Sequence, residues 1–370
     1  MSAHVLVARM DNDGDVLLAG PAVRAVAAGA RRVTLLCGPR GLQAARLLPG
    51  VDEVICHRAP WIDPEPDPVD ADQTLELVRR LAAARLDQAI VLTSFHQSAL
   101  PLALLLRLAG VPEVAAISDD YPGSLLSVRH RVEEELHEVE RSLSLVATLG
   151  YAPPSGDDLR LAVRALSGEP PVDRVGQAEL VRRDPRDAPA RAAPEQAPYV
   201  VVHPGASVSA RAWGAARNAE LVDALVARGR RVVVTGGPAE RALTARVSGS
   251  HASDVSDLGG RTDMATLAQV LAGAQAVVVG NTGPAHLAAA VGTPVVCLFA
   301  PTVPVVRWRP WGVAHEILYQ PVPCAGCRAR TCPVPGHPCL EGLSVATVLD
   351  ALERLSPGDG ERSASSAVAA

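Results

Sequence analysis

The chain has 370 residues, of which 48% are hydrophobic, and its formal net charge is -5. This length suffices for two α/β domains with separate buried sheets, and the charge excludes the basic surface that nucleic-acid-binding proteins use. No apolar run approaches the roughly 20 residues of a membrane span, and the N-terminal sequence lacks the apolar stretch of a signal peptide, so we expect a cytoplasmic protein with reduced cysteines. All 35 basic residues are arginine.

Strands and helices alternate in the first half, which predicts a Rossmann-like domain over residues 1–165. A buried parallel strand is expected at 4–8, followed by a turn and an apolar-periodic helix from about Asp15 to residue 28. Further strands are predicted at 33–36, 53–55, 88–92 and 114–117, and helices at 74–84 and 97–109. A charged amphipathic helix is predicted at 129–148.

The second half repeats this organisation. Residues 166–198 are rich in Pro, Asp and Arg and are expected to link the two domains. A second Rossmann-like domain is predicted over 199–355, with strands at 199–203, 231–235, 276–279 and 295–299 and a last helix at 344–355. It includes a cysteine-rich segment at 321–340. The Gly-, Ser- and Ala-rich tail 356–370 is expected to be disordered.

The turn after the first strand carries three carboxylates, Asp11, Asp13 and Asp15, and one of them is a candidate general base. Gly14, which follows Asp13, would permit a tight strand-to-helix turn. An acidic residue at a helix start is also favoured by the unsatisfied backbone N–H groups. The alternative interpretation is therefore that Asp15 only caps the helix.

Three turns of the second half carry groups suited to a nucleotide diphosphate. Ser207 can donate to a phosphate oxygen, and Arg211 can pair with the charge that develops on a departing diphosphate. Glu240 could accept hydrogen bonds from ribose hydroxyls, although Glu is also common in the first helical turn because of the helix dipole. Met264 would lie near a base, or else fill the core.

The segment from 276 to 299, AVVVGNTGPAHLAAAVGTPVVCLF, carries the strongest signal. A strand ends at Gly280, and Asn281, Thr282 and Gly283 then open a helix whose free N–H groups suit phosphate oxygens. Open α/β sheets bind ligands at this end of a strand. His286 lies one turn into the helix, where it contacts phosphate or, alternatively, packs inside the protein.

A cluster of cysteines near the C-terminus suggests a metal site. Cys324 and Cys327 have the spacing of zinc ligands, and Cys332 and Cys339 follow. The later spacings are not those of a standard zinc ribbon, and five prolines interrupt the segment. A structural Zn²⁺ and four reduced thiols both remain open.

The sequence as a whole resembles glycosyltransferase family 9, the heptosyltransferase family. The resemblance rests on GDVLLAGPAV, HPGAS followed by RAW, TGGPAE, LGGRTDMATLAQVLAGA and GNTGPAHLAAAVGTPVVCLF, in this order along nearly the whole chain. It implies an α/β protein of the GT-B fold, with two Rossmann-like, doubly wound domains facing a central cleft. The acceptor would bind the N-terminal domain and an ADP-sugar the C-terminal domain.

The resemblance also implies residue roles. The catalytic Asp of the family falls on Asp15, with Asp13 and Gly14 expected on the acceptor side. The basic residue that follows the HPG turn falls on Arg211. The acidic ribose contact falls on Glu240, and the diphosphate turn on Thr282, Gly283 and His286. Relatives commonly carry Asp where this chain has Asn281 and Lys where it has Arg211.

The expected activity is transfer of a sugar, heptose by resemblance, from an ADP-sugar to a hydroxyl of a glycan, glycolipid or small acceptor. The family implies inversion at the anomeric carbon with no metal or other cofactor, and a role in lipopolysaccharide core synthesis. Peripheral contact with the inner face of the membrane would depend on scattered arginines such as Arg129 and Arg131.

Two alternatives stay open: a nucleotide-sugar epimerase of the GT-B fold, and a non-catalytic nucleotide-sugar-binding protein. A Rossmann oxidoreductase is disfavoured because the first turn lacks G-x-G-x-x-G. The sequence makes no prediction of the oligomeric state.

Overall fold

The computed structural model describes residues 3–133, 135–164, 198–251 and 253–355. The predicted tail and, except for residue 198, the predicted linker lie outside these residues. The described chain forms two compact units. The first consists of residues 3–164, 289–291 and 304–312, and the second of 198–288, 292–303 and 313–355.

The first half of the chain contains six strands and six α-helices in the described ranges. The strands are β1 (His4–Arg9), β2 (Arg32–Cys37), β3 (Glu53–Cys56), β4 (Gln88–Leu92), β5 (Glu113–Ile117) and β6 (Val128–His130). The helices are α1 (Asp13–Leu18), α2 (Gly20–Gly29), α3 (Leu42–Leu47), α4 (Ala71–Ala84), α5 (Leu100–Leu108) and α6 (Glu138–Thr148), with a 3-10 helix at Pro39–Gly41.

The sheet of the first unit is parallel, in the order β3-β2-β1-β4-β5-β6. The chain moves outward from β1 in one direction and from β4 in the other, so the order reverses between these two strands. Arg9 pairs with Leu92 at their carboxyl ends. The turns that follow β1 and β4 therefore lie side by side at a topological switch point, where ligands bind in sheets of this type.

Two helix predictions in this unit need correction. The helix predicted from Asp15 to residue 28 is two helices separated at Ala19, where Gly20 and Pro21 begin the second one. Proline has no N–H and fits only the first turn of a helix. The region predicted as a helix at 129–148 begins with strand β6 beside β5, and α6 starts only after a capping box at His137.

The described residues of the second half also contain six strands. They are β7 (Tyr199–His203), β8 (Arg231–Val234), β9 (Val255–Asp257), β10 (Ala276–Gly280), β11 (Val295–Leu298) and β12 (His315–Leu318). The helices are α7 (Ala215–Val226), α8 (Arg241–Ser248), α9 (Met264–Ala272), α10 (Gly283–Ala290), α11 (Val305–Trp308), α12 (Pro338–Glu341) and α13 (Val345–Leu355), with 3-10 helices at Ser209–Arg211 and Pro238–Glu240. Helix α11 belongs to the first unit.

The sheet of the second unit is again parallel, in the order β12-β11-β10-β7-β8-β9. Its order reverses between β7 and β10, and His203 pairs with Val279 there. The sequence analysis missed β9 and β12, which are short edge strands with polar residues. The turns after β7 and β10 meet at this second switch point.

Each sheet is covered by an apolar core of its own. In the first unit, residues such as Leu6 and Val91 pack with Leu81 of α4 and Leu106 of α5. In the second unit, Val202, Val278 and Leu298 are joined by side chains of α7 and α13. Among the described residues, no helix has both the length and the apolar character needed to span a bilayer.

Candidate functional site

The first switch point contains a buried arginine with three acidic partners. Arg9 is 1% exposed, and its Nε lies 2.9 Å from Oδ2 of Asp11. Its two terminal nitrogens lie 3.0 Å from Oδ1 of Asp15 and 3.3 Å from Oε2 of Glu138. Burial disfavours the charged guanidinium, but the three carboxylates outweigh burial and raise the pKa of Arg9.

Two further guanidinium groups belong to this cluster. Glu138 lies 3.7 Å from a second guanidinium, that of Arg307, and the buried Arg141 donates to the backbone oxygen of Thr93 at 2.7 Å. Arg307 also lies 3.6 Å from the exposed Glu135, so four carboxylates accompany three guanidinium groups. Buried charges are stable only when they are paired and hydrogen-bonded, so the cluster depends on each of its members.

Asp15 is held by one of its two carboxylate oxygens. Oδ1 accepts hydrogen bonds from Arg9 at 3.0 Å and from the indole nitrogen of Trp308 at 3.4 Å. Within the described residues, Oδ2 has no hydrogen-bond partner, and the side chain is 18% exposed. The cap position of α1 is Asn12, whose side chain makes no capping bond. Asp15 is therefore not the helix cap of the alternative interpretation.

The other acidic residues of this turn play different parts. Asp11 accepts a hydrogen bond from Gln97, and burial raises the pKa of Asp11. Asp13 accepts the backbone N–H of Ala44 at 3.0 Å, and burial raises its pKa to about 6. Asp13 thus ties α1 to α3, and its place on the acceptor side stays a prediction.

Gly14 also differs from its expectation. It is buried inside α1, and its φ does not lie in the left-handed region. The conformational freedom of glycine is therefore not what this turn uses. Asp13, and not Gly14, begins the helix.

The sequence analysis missed two aromatic residues and Arg9 at this site. Phe95 follows β4 and Trp308 ends α11, and their ring centroids lie 5.7 Å apart. No local pattern connects residues so far apart in sequence. Arg9 did carry a signal, since an arginine that ends an otherwise apolar buried strand implies an internal partner of opposite charge.

The second switch point brings Arg211 beside the end of β10. The backbone oxygen of Arg211 would lie 2.6 Å from a Cβ added at Gly280, so this close approach requires glycine. The Nε of Arg211 donates to the hydroxyl of Thr302 at 3.3 Å. Ser207, in the turn between β7 and Arg211, is exposed. The structure thus brings the predicted Arg211 next to the predicted diphosphate turn.

Glu240 reaches the turn after β7 from the turn after β8. Its Oε2 accepts the N–H of Gly237 at 2.7 Å and lies 4.0 Å from Nε2 of His203. A Cβ added at Gly205 would overlap the carboxylate. Burial lowers the pKa of His203 and Glu240 only partly offsets this, which favours a neutral imidazole. Glu240 therefore combines a capping bond with a position at the switch point.

At the turn after β10, the strand end at Gly280 and the helix start at Gly283 are as predicted, but the N–H of Thr282 is not free. Helix α10 begins at Gly283, so the positive end of its dipole lies at this turn. Thr282 is half-buried, and its N–H donates to the oxygen of Gly280 at 2.8 Å. His286 is 4% exposed. The amide side chain of Asn281 is occupied by the backbone N–H and oxygen of Ala300, at 3.2 and 3.3 Å.

Asn281 is therefore a buried link between the ends of β10 and β11, and its contact with a donor stays a prediction. Met264 begins α9 directly after the β9 turn and is half-buried. Leu267 and Leu271 of the same helix are buried, so packing in the core and contact with a base both stay open for Met264.

The cysteines of the C-terminal segment lie near one another, since burial and then the thiols of Cys332 and Cys324 raise the pKa of Cys339. The thiols of the segment range from the exposed Cys327 to the buried Cys339. In the described ranges, no three His, Cys, Asp or Glu side chains are grouped so that they could hold a metal ion. The backbone instead packs on the 3-10 helix that carries Arg211, and Ala210 N donates to the oxygen of Arg330 at 3.0 Å.

Comparisons with known proteins agree with this arrangement. The model of glycosyltransferase family 9 (heptosyltransferase) matches residues 74–337. Lipopolysaccharide heptosyltransferase 3 of Escherichia coli is 36% identical over 116 residues, which cover 30% of this chain and 34% of that protein. Lipopolysaccharide heptosyltransferase 1 of Pseudomonas aeruginosa is 31% identical over 243 residues, covering 64% of this chain and 61% of that protein. The chain thus matches about a third to three fifths of the length of these curated relatives.

A solved structure supports the fold over a longer stretch. The structure titled E. coli ADP-heptose lps heptosyltransferase II matches with a TM-score of 0.70 at 19% identity, over 95% of this chain and 98% of the other. At this identity the match shows the fold, and it confirms the predicted α/β class of paired Rossmann-like domains known as GT-B. Since the family model spans well over half of the sequence, the chain belongs to glycosyltransferase family 9, the heptosyltransferase family.

Proposed function

We propose that this protein transfers heptose from ADP-heptose to a hydroxyl group of a lipopolysaccharide-type glycan, with inversion and without a metal. The proposal rests on family membership, and the names of the relatives supply the donor and the acceptor class. One structural observation carries it to the residue level: Asp15 is anchored through Oδ1 and keeps Oδ2 without a partner among the described residues.

This arrangement suits a general base. Oδ2 of Asp15 takes the proton of the acceptor hydroxyl while the hydroxyl oxygen attacks the anomeric carbon of the donor. The bond from that carbon to the diphosphate oxygen breaks, and ADP leaves with the electron pair. A single displacement from the opposite face inverts the anomeric centre. Arg9 and Trp308 hold the carboxylate in one orientation during this step.

The departing diphosphate gains negative charge, and the second switch point offers groups that can stabilise it. Arg211 contributes a guanidinium, which can contact two phosphate oxygens at once. The N-terminus of α10, at Gly283, adds the positive end of its dipole, and the hydroxyls of Ser207 and Thr282 can donate. We propose Glu240 for the ribose, and Met264 and His286 for further contacts to the nucleotide. These groups could replace a metal ion in charge stabilisation.

The test is a panel of ADP-, GDP-, UDP- and dTDP-activated sugars, including ADP-heptose, offered with lipopolysaccharide from a heptose-deficient strain. We expect transfer from ADP-heptose alone, unchanged by EDTA, and an inverted configuration by NMR of the product. Asp15→Asn should lower kcat at least about 100-fold, the usual size of a general-base contribution. Thermal stabilisation by ADP should persist in this variant.

Other outcomes would contradict the proposal in different ways. Transfer that survives in Asp15→Asn would remove Asp15 from the role of base. Loss of activity in EDTA, with recovery on adding a divalent ion, would overturn metal independence. Binding of ADP-heptose without transfer or hydrolysis in the wild type would favour the non-catalytic alternative.

A further inference from the structure

The ring of Trp308 lies beside Asp15 and packs against that of Phe95, and the chemistry derived above uses only the indole N–H of Trp308. Trp308 donates its indole N–H to Oδ1 of Asp15 at 3.4 Å. Phe95 follows β4, the neighbour of β1 in the sheet, and its ring is inclined by 57° to that of Trp308 at a centroid distance of 5.7 Å. Both side chains are half-buried, so part of each ring is open to solvent. This exposed aromatic surface adjoins the carboxylate.

The segment that carries Trp308 is fixed on both sides of this residue. Arg307 stacks on the ring of Phe95 at 4.6 Å and lies 3.7 Å from Glu138. The backbone oxygen of Arg309 lies 2.9 Å from Nε2 of the buried His137. Because the preceding and the following residue are both anchored, the indole ring has a defined position. Such preorganisation reduces the entropy cost of binding a ligand on the ring.

A saccharide ring presents C–H groups on its faces, and these pack against aromatic rings, which carry partial negative charge on their faces. Small-molecule sites typically combine aromatic surface with a few placed polar groups. Here the polar group is the Asp15 carboxylate. The rings and the carboxylate belong to the same unit, and the base has to touch the hydroxyl of the acceptor.

We propose that Trp308 and Phe95 form a platform for the acceptor saccharide ring, and that Trp308 also positions Asp15 through its indole N–H. This inference rests on the proposed function, since it assigns a substrate to the same site. It makes Trp308 a residue with two separable contributions. The ring binds the acceptor, and the N–H orients the base.

Two substitutions of Trp308 separate the contribution of its ring from that of its indole N–H. Trp308→Phe keeps an aromatic ring but removes the N–H, so we expect kcat to fall about fivefold while the acceptor KM changes by less than about threefold. Trp308→Ala removes the ring as well, and the acceptor KM should rise at least about tenfold. Phe95→Leu should raise KM and leave kcat almost unchanged.

Trp311→Phe is the matched control, because Trp311 lies in the same segment and its indole donates to the backbone oxygen of Leu159. We expect both kinetic constants of this variant to stay near wild type. If Trp311→Phe raised KM as strongly as Trp308→Ala, the aromatic residues would only fix the segment, and the platform would be refuted.

Binding measured without turnover distinguishes this inference from the proposed function. The ligand is the delipidated saccharide of heptose-deficient lipopolysaccharide. Calorimetry would measure its dissociation constant for two proteins, the single variant Asp15→Asn and the double variant Asp15→Asn, Trp308→Ala. A dissociation constant at least about tenfold weaker in the double variant supports the platform, even if no donor is turned over. Equal binding by both proteins, or no binding by either, overturns the platform, even where transfer is observed.

Discussion

Arg9 is the residue on which the acidic site depends. Its guanidinium is buried and lies within 3.3 Å of oxygens from three carboxylates. A lysine could not replace it fully, because the ammonium is a compact point charge and the guanidinium is a planar group with donors in several directions. The chain contains no lysine, and at this position the geometry itself requires arginine.

We predict that Arg9→Met lowers the free energy of unfolding by about 3–5 kcal/mol, because it leaves buried carboxylates without their counter-charge. Urea denaturation followed by circular dichroism would measure the loss. Arg32→Met is the control, since Arg32 and Glu53 form an exposed pair at 2.7 Å and such pairs contribute about 0–1 kcal/mol. A similar small loss in both variants would show that the Arg9 cluster contributes no more than a surface pair.

Asp13 makes the free energy of unfolding depend on pH. Burial raises its pKa to about 6 in the folded state, from a reference value of 3.8. The folded protein therefore keeps this proton at pH values where the unfolded chain has released it. The contribution of Asp13 to stability is fully present below pH 3.8, and it is lost as the pH rises through about 6.

Asp13→Asn retains an oxygen that can accept the N–H of Ala44 but carries no charge. We expect this variant to be about 1 kcal/mol more stable than the wild type at pH 8 and equal to it near pH 4. Urea denaturation at both pH values checks this. Asp157→Asn should instead be less stable than the wild type at both pH values, because Arg24 lowers the pKa of Asp157 and this contribution is lost only below about pH 3.8. A difference for Asp13→Asn that does not change with pH would contradict the prediction.

At the scale of elements, the ends of the strands decide which side chains meet. Gly205 follows β7, and a Cβ there would overlap the Glu240 carboxylate. Gly205→Ala should therefore displace Glu240 from Gly237 and weaken ADP binding about tenfold, if Glu240 contacts the ribose as proposed. Calorimetry with ADP measures this, with the neighbouring Ala206→Gly as control. Unchanged affinity in Gly205→Ala would separate Glu240 from nucleotide binding.

Most buried strands could be predicted from the sequence, because an apolar run between turn signals has few other solutions. Strands β4 and β7 have the predicted bounds. The edge strands β9 and β12 could not be predicted, because their conformation depends on a neighbouring strand. The start of α6 could not be predicted either, because it depends on a side-chain cap. Asp15 could be named from its motif. Trp308 could not, since 293 positions separate it from Asp15.

At the scale of the whole molecule, both sheets have the same strand topology, but the side chains at their switch points differ. Each is parallel and reverses its strand order once, between β1 and β4 or between β7 and β10. The first switch point collects carboxylates, guanidinium groups and aromatic rings. The second collects glycines that allow close backbone approach, one arginine and a helix N-terminus. We therefore propose proton transfer at the first sheet and diphosphate binding at the second.

Helix α11 lies in a different unit from the strands that precede and follow it in the sequence. Residues 304–312 follow β11 of the second unit, yet they belong to the first. A chimera that exchanged halves between two relatives at the predicted linker would combine the β1 turn of one parent with the Trp308 segment of the other. Recombination of such enzymes, by evolution or by design, therefore has to inherit this nine-residue segment together with the N-terminal half.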